Sequence, residues 1–312
     1  MVPERPLVSV VLETDSVHPY DDISLADCLE ALGGQDYPRD RFEVIAVNGG
    51  KVPDLGALVT AAFPTAVVLD CPGGTKFEQK NLGMQAVTGE IVAFVDGDCA
   101  PGPGWLSRIV EELATAPPDV AGVQGITVLS PGWCSPELAA LFYGVRRGPD
   151  GSSSRLVTDN CAFRQPVARR FTFEHPSFST VVDTLFLHRL RRAGYRMLLC
   201  EDLRMAHSFP QSARALAAWF FARAFGVGYY MVLTRRLEPE LPGAALVRRA
   251  GGLGWPLIAL AKAWRDVRQV WDNRRRVGAR FLVALPLAAV YEAALFLGGV
   301  GALVGLRRPR WS

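Results

Sequence analysis

Asp96 and Asp98, separated only by Gly97, are the side chains best suited to chemistry in this chain of 312 residues. They follow the unbroken apolar run Ile91-Val92-Ala93-Phe94-Val95, so both carboxylates fall just past the end of a buried strand. Two carboxylates one residue apart can address a single hard cation. Mg²⁺ and Mn²⁺ take oxygen ligands and commonly bridge protein carboxylates to phosphates. Gly97 lets backbone and ligand approach closely. An Asp-x-Asp triplet alone is common, and the strand before this one gives it weight. Two further polar clusters end apolar runs in the same way: Glu13-Thr14-Asp15 after residues 7–12, and Asn48-Gly49-Gly50 after residues 42–47. Ligands of open α/β sheets bind beyond the carboxyl ends of the strands. One crevice can therefore collect all three clusters, although ordinary polar loops would give the same pattern for the first two.

The elements that must hold these residues alternate in type. Leu25, Cys28, Leu29 and Leu32 recur at helical spacing, as do Trp105, Leu106, Ile109, Val110 and Leu113. Residues 66–69 read as another strand and 77–87 as a helix. This alternation predicts the α/β class, with a mostly parallel, twisted sheet and helices on both faces, over a first domain of residues 1–210. Hydrophobic residues make up 49% and charged residues 21%, which excludes a disordered chain. A net charge of +3 gives no argument for a nucleic-acid partner. The six cysteines form no Cys-x-x-Cys pair, so they read as reduced thiols in a cytosolic compartment. The first residues lack the apolar run of a secretory signal.

Composition changes after Pro210, which sets apart residues 211–312. Trp219, Trp255, Trp264, Trp271 and Trp311 are five of the seven tryptophans. Residues 215–233 mix apolar, aromatic and arginine side chains, as a helix lying on a membrane surface does. Residues 253–263 are too short to span a bilayer. Residues 281–305 reach the roughly 20 apolar residues that a span needs, with Pro286 and Glu292 inside. Arg274, Arg275, Arg276 and Arg280 precede them, and Arg307, Arg308 and Arg310 follow. Basic residues on both sides leave the direction of a single span open, whereas a re-entrant hairpin keeps both ends on an anionic leaflet. A buried helical pair is the other reading. The expectation is a region of membrane-associated helices at the cytoplasmic face of the cell membrane.

Several segments carry a resemblance. Val8-Ser9-Val10-Val11 is followed by Gln35-Asp36-Tyr37-Pro38, then by residues 43–47 and Lys80-Asn81-Leu82-Gly83. Residues 89–98, Pro103-Gly104-Trp105-Leu106, residues 159–164, and Asp183 before residues 189–195 continue the series. In order and spacing, over roughly residues 7–210, the chain resembles a family 2 glycosyltransferase. The resemblance implies the GT-A (nucleotide-diphospho-sugar transferase) fold. It further implies inverting transfer of a sugar from a nucleotide-sugar donor to a hydroxyl acceptor, here lipid-linked or membrane-proximal. It makes Asp96 and Asp98 ligands of a divalent metal (Mn²⁺ or Mg²⁺) and of the diphosphate, with His207 near that metal. Asp183 becomes the acceptor-activating base. Lys80 and Asn81 line the nucleotide side, Asn48 stands near the nucleobase, and Asp159, Asn160 and Arg164 lie near donor sugar and acceptor.

The chain also departs from that pattern. Val182 replaces the acid that normally precedes the base. Asn48-Gly49 replaces an aspartate pair. Glu13-Thr14-Asp15 stands where a Pro-Thr-Tyr-Asn-like stretch is usual, so Glu13 or Asp15 becomes the expected nucleotide contact. Gln211 to Ala215 resembles a Gln-x-x-Arg-Trp signature of processive relatives, with Ala215 in place of the tryptophan, which favours one transfer per encounter. Plainer roles compete: a helix-start acid for Asp183, a solvated helix residue for Lys80, a structural histidine for His207. His18, His175 and His188 have no supporting pattern. Two other functions stay open. One is a sugar-nucleotide-binding membrane protein impaired in turnover. The other is a nucleotidyltransferase, which would want a basic glycine-rich loop where residues 12–22 are acidic.

Overall fold

The computed structural model describes residues 5–18, 22–129, 145–178, 180–208, 212–272 and 281–306. The chain forms two compact units, Met1–Ser130 with Val145–Phe209, and Pro131–Gly144 with Pro210–Ser312.

The first unit is built on a sheet of eight strands: β1 (Val8–Glu13), β2 (Phe42–Asn48), β3 (Val67–Asp70), β4 (Ile91–Asp96), β5 (Cys99–Pro101), β6 (Val120–Leu129), β7 (Cys161–Arg164) and β8 (Arg196–His207). Their order is β3-β2-β1-β4-β7-β6-β8-β5. The neighbours among β3, β2, β1 and β4 are parallel, as are β6 and β8. β7 runs antiparallel to both β4 and β6, and β5 antiparallel to β8. The sheet is thus mostly parallel with two short reversed strands. Only Gly97 and Asp98 separate β4 from β5. That is far too short for the crossover a parallel strand requires, so β5 turns back and pairs elsewhere.

Helices α1 (Leu25–Gly33), α2 (Leu55–Ala62), α3 (Lys76–Ala86), α4 (Trp105–Thr115), α5 (Gln165–Arg170) and α6 (Val182–Arg192) complete this unit. α1 and α3 start where the sequence offers reciprocal caps, Ser24 with Asp27 and Thr75 with Glu78. Side chains alternate across the strands. Val8, Val10, Leu12, Ala93 and Val95 join Leu25, Leu29, Leu32, Trp105 and Ile109 in one core. The opposite face is aromatic. Phe94 meets Phe163 and Phe173 edge-on, and Phe186 of α6 packs on Phe163 and Phe173 with centroids 5.4 and 4.7 Å away. Phe94 and Asp96 are two apart on β4 and so share a face. Phe186 therefore anchors α6 over the face that carries Asp96.

The second unit contains α7 (Ala213–Leu237), α8 (Ala244–Ala250), α9 (Gly254–Asp272) and α10 (Phe281–Leu303). α7 and α10 meet backbone to backbone. A Cβ on Gly228 would lie 1.8 Å from the Leu295 carbonyl oxygen, and one on Gly298 would lie 1.9 Å from that of Phe225. Small residues at such a crossing allow the close approach typical of lipid-embedded helix pairs. Trp255 Nε1 donates to the Phe296 carbonyl oxygen at 3.0 Å, tying α9 to α10. α10 holds an 18-residue window, Pro286–Leu303, of mean hydropathy 1.5, long and apolar enough to cross a bilayer; a buried core helix can have the same composition. Gln211, the arginines at 274–276, 280, 307, 308 and 310, and Trp311 lie outside the described residues, as does Cys134.

Candidate functional site

β1 and β4 run side by side with Glu13 level with Asp96. The turn after β4 is pressed against the end of β1. Gly97 N–H donates to the Glu13 carbonyl oxygen at 2.9 Å. A Cβ at Gly97 would come within 2.6 Å of Val17 Cγ2 and 3.0 Å of that carbonyl oxygen. The residue between the two aspartates therefore has to be glycine for the turn to keep this path. The β5–β8 pairing then sets Cys99 opposite His207. This brings His207 Nε2 to 3.7 Å from Asp98 Oδ2. His207 Nδ1 lies 2.6 Å from the Ser208 carbonyl oxygen, and donating to it leaves Nε2 facing the carboxylate. Burial opposes a charge on this imidazole, but Asp98 and Asp159 outweigh it and raise its pKa above the ordinary value.

Asp98, Cys99 and His207 offer ligand atoms within 4.8 Å of one another. A carboxylate oxygen and an imidazole nitrogen fit Mn²⁺ well. Burial and the neighbouring Asp98 push the Cys99 thiol well above its usual pKa, so it stays protonated and is the poorest donor of the three. The remaining donors suit a divalent cation at Asp98 and His207, with Asp96 alongside.

Asp96 is buried and hydrogen-bonded to the fully buried Lys80 ammonium of α3. Burial alone would raise the Asp96 pKa, but Lys80 overrides it and brings the carboxyl down to about 2. Burial likewise works against the Lys80 charge, and Asp96 and Glu13 together hold its pKa above normal. Glu13 is the odd member. It is fully buried, Oε2 accepts from the Asp15 and Ser16 amides at 2.7 and 3.2 Å, and Oε1 has no hydrogen-bond partner among the described residues. Burial first, and Asp96 second, raise its pKa to about 8. Three ionisable side chains thus share one buried corner, and beside the charged pair Lys80–Asp96 Glu13 carries its proton at neutral pH.

Asp159 joins the same cluster. It is buried, and burial raises its pKa. Asp183 opens α6, and its Oδ1 accepts from the Thr184 amide at 2.7 Å. The charges of Lys80, Asp159, Asp96 and Asp183 all act on the buried thiol of Cys161, which is level with Phe94. Phe186 anchors α6 against Phe163 and Phe173, and Asp183 stands at the head of that helix. The residue before α6, Val181, has φ 64°, a left-handed conformation that is strained for a β-branched side chain.

Other predicted site residues have different partners. Asp15 Oδ1 lies 3.1 Å from Lys51 Nζ, and its Oδ2 accepts from the first amide of α3, that of Lys76, at 3.1 Å. Asn48 closes its own turn: Oδ1 accepts from Gly50 N and Nδ2 donates to the Val52 carbonyl. Asn81 exchanges hydrogen bonds of 2.8 and 2.9 Å with the Phe173 backbone. Asn160 is fully buried, accepts from Trp105 Nε1 at 2.9 Å and donates to the Leu203 carbonyl. Arg164 is not brought to the crevice. It is level with Ile91, at the opposite end of β4 from Asp96, and donates to the carbonyls of Leu113, Ala116 and Val120. An arginine there neutralises orphan carbonyls at the end of α4.

Two residues of this edge escaped sequence reasoning. Gln79 accepts from the Thr14 amide at 2.9 Å and donates to the Gly74 carbonyl, locking the end of β1 to α3. Ser208 N donates to the Asp98 carbonyl at 2.9 Å while its hydroxyl donates to Asp22, strapping the end of β8 across the site. Helical periodicity flagged neither, because both partners are distant in sequence. A cleft of about 410 Å³ lined by Gly102, Pro103, Trp105, Arg108, Asp202 and Arg204 contains none of these carboxylates, and its one acid is Asp202.

Residues 24–133 match the model of "Glycosyl transferase family 2". The chain carries a family 2 glycosyltransferase domain. Glycosyltransferase AglE of Haloferax volcanii is 29% identical over 39% of this chain and 40% of its own length, so the shared stretch spans well under half of that relative. Succinoglycan biosynthesis protein ExoM of Rhizobium meliloti is 25% identical over 91% of this chain and 90% of its own. Among solved structures, the mannosyltransferase PcManGT of Pyrobaculum calidifontis, described in complex with GDP-Man and Mn²⁺, is 18% identical. It aligns over 96% of this chain and 88% of its own with a TM-score of 0.60. The glycosyltransferase domain thus has the GT-A fold, and the matched residues span α1 to β6, including Lys80, Asp96 and Asp98.

Proposed function

We propose that this protein transfers a sugar from a nucleotide-diphosphate-sugar to a hydroxyl acceptor with inversion at the anomeric carbon. Asp98 facing His207 at 3.7 Å, beside Asp96 and at the carboxyl end of β4, is the observation that carries the reading. Binding of GDP-Man and Mn²⁺ by the mannosyltransferase relative supports the donor class and the metal class.

Asp98 and His207 would hold a divalent cation, Mn²⁺ or Mg²⁺, which supplies positive charge for the departing diphosphate. Lys80 neutralises Asp96 from behind, so a donor diphosphate meets one fewer bare negative charge. Glu13, carrying its proton, adds none at neutral pH. A hydroxyl is a poor nucleophile, and a carboxylate within hydrogen-bond reach removes its proton as attack proceeds. Asp183 is the candidate for that role. Attack from the face opposite the leaving group needs no protein nucleophile and inverts the centre. Val182, buried next to this base, replaces the usual acid without adding a second charge. The acceptor is proposed to be lipid-linked or membrane-proximal, at the cytoplasmic face of the cell membrane, because the second unit is rich in exposed apolar side chains.

The test is release of nucleoside diphosphate from UDP- and GDP-sugars in the presence of a lipid extract. Turnover should need Mn²⁺ or Mg²⁺, stop with chelator, and fall in Asp98→Asn. Metal-independent turnover, or an Asp98→Asn variant as active as the wild type, overturns the proposal. Nucleotide binding without turnover on any donor would instead favour an impaired binding protein.

A further inference from the structure

Helix α9 carries a stripe that its own unit does not cover. Leu253, just before it, and Leu257, Leu260, Trp264, Val267 and Trp271 along it are all exposed, Leu253 by 81% and Trp264 by 70%. Their spacing alternates between four and three residues, so they fall on one face over about 27 Å of helix. The opposite face is occupied. Trp255 is buried and bonded to the Phe296 carbonyl, and Lys262 Nζ bridges Asp266 Oδ2 at 2.6 Å and Glu292 Oε1 at 2.7 Å. Lys262 lies half a turn from the stripe, so this ion cluster fixes the rotation of α9 about its axis and keeps the stripe outward.

We infer that this stripe is the face by which the protein docks on a lipid bilayer with anionic headgroups, with α9 lying in the plane of the interface. Charge supports lipid as the occupant. Arg265, whose Nε also meets Asp266 Oδ1 at 3.2 Å, and Arg268 are both exposed and lie on one side of the stripe, where they can meet headgroup phosphates while the tryptophans sit at the boundary with the acyl chains. A second copy of the helix is the rival occupant, since four–three spacing also suits a coiled coil. Coiled coils carry paired charges beside the seam. Here the flanking positions Gly254, Pro256, Ala261 and Ala263 are uncharged, and Arg268, in the same series as Gly254 and Ala261, is a cation with no acid among these positions to pair with it across a seam. The inference gives the membrane-proximal acceptor proposed above a physical basis, yet it does not depend on catalysis, and its test is separate.

The test is co-flotation of the purified full chain with vesicles of phosphatidylcholine alone or mixed with phosphatidylglycerol. We expect binding to the mixed vesicles. Leu257→Glu/Leu260→Glu/Trp264→Glu should lower the partition by about a hundredfold, and Arg265→Gln/Arg268→Gln by about tenfold, on the anionic vesicles only. Nucleoside-diphosphate release from a soluble donor should persist in both variants, which shows that they fold. Equal flotation of the triple variant and the wild type overturns the inference. So does a lipid-free dimer that the triple variant abolishes, since the stripe then belongs to a second copy. If the wild type docks but never turns over a donor, the transferase reading fails while the docking face stands.

Discussion

Replacing Lys80 with methionine gives the sharpest test of the charged corner. The Lys80 side chain is 0% exposed and that of Asp96 3%, so water screens neither. Methionine fills much of the volume but leaves Asp96 ionised with no partner beyond the Ser16 hydroxyl at 3.4 Å. Breaking a buried pair from one side costs about 3–5 kcal/mol, a large fraction of the 5–15 kcal/mol that holds a typical domain folded. Neutralising the other side should recover much of it, so Lys80→Met with Asp96→Asn should lose at least about 2 kcal/mol less than the two single variants summed. Hydrogen exchange of the β1 and β4 amides in the metal-free protein reads the opening of this unit alone. A Lys80→Met loss below about 1 kcal/mol, additive with Asp96→Asn, would refute the reasoning. It would mean that Lys80 reaches out into water, free to meet a diphosphate directly.

Three more outcomes follow from the same geometry. Glu13 has a folded pKa of about 8 against 4.5 unfolded. The folded state therefore binds the extra proton between those values, and metal-free stability should fall as pH rises from 4.5 to 8, by at most about 5 kcal/mol. Glu13→Gln should flatten that slope, and protection measured at pH 5 and pH 8 checks it. Val181→Gly should relieve the φ of 64° and stabilise the first unit by about 1 kcal/mol, net of the greater freedom of glycine in the unfolded chain, as read by its thermal midpoint. Asn160→Ala strips Trp105 Nε1 and the Leu203 carbonyl of their partner and should cost about 1–3 kcal/mol in denaturant melts without changing nucleotide affinity.

The legible part of the fold is the part encoded locally. Val8 to Leu12 and Ile91 to Val95 are unbroken apolar runs that mean a strand buried on both faces, and the capped helices between them fix the parallel order β3-β2-β1-β4. β7 is four residues, Cys161-Ala162-Phe163-Arg164, and nothing in them encodes reversal. That direction comes from pairing with β4, some seventy residues earlier. The apolar run of residues 253–263 is only the first half of α9, which continues to Asp272 with Lys262 on its polar face bonded to Glu292 of α10. At the site, the positions of Asp96 and Asp98 were readable from the strand before them. The uses of Asn81, Asn160 and Arg164 were not, since each bonds to backbone at least forty residues away and a polar residue near a strand end looks the same whether it meets ligand or backbone. The raised pKa of Glu13 likewise depends on Asp96 lying beside it across the sheet.

The proposed transferase stands on the acid at the head of α6. Asp183→Asn removes the base while keeping shape and the helix-start hydrogen bond, so donor affinity measured by calorimetry with Mn²⁺ should stay within about twofold, whereas single-turnover sugar transfer should drop by about 10²–10⁴. Transfer at the wild-type rate with affinity unchanged would contradict the account, because some other group would then be taking the acceptor proton.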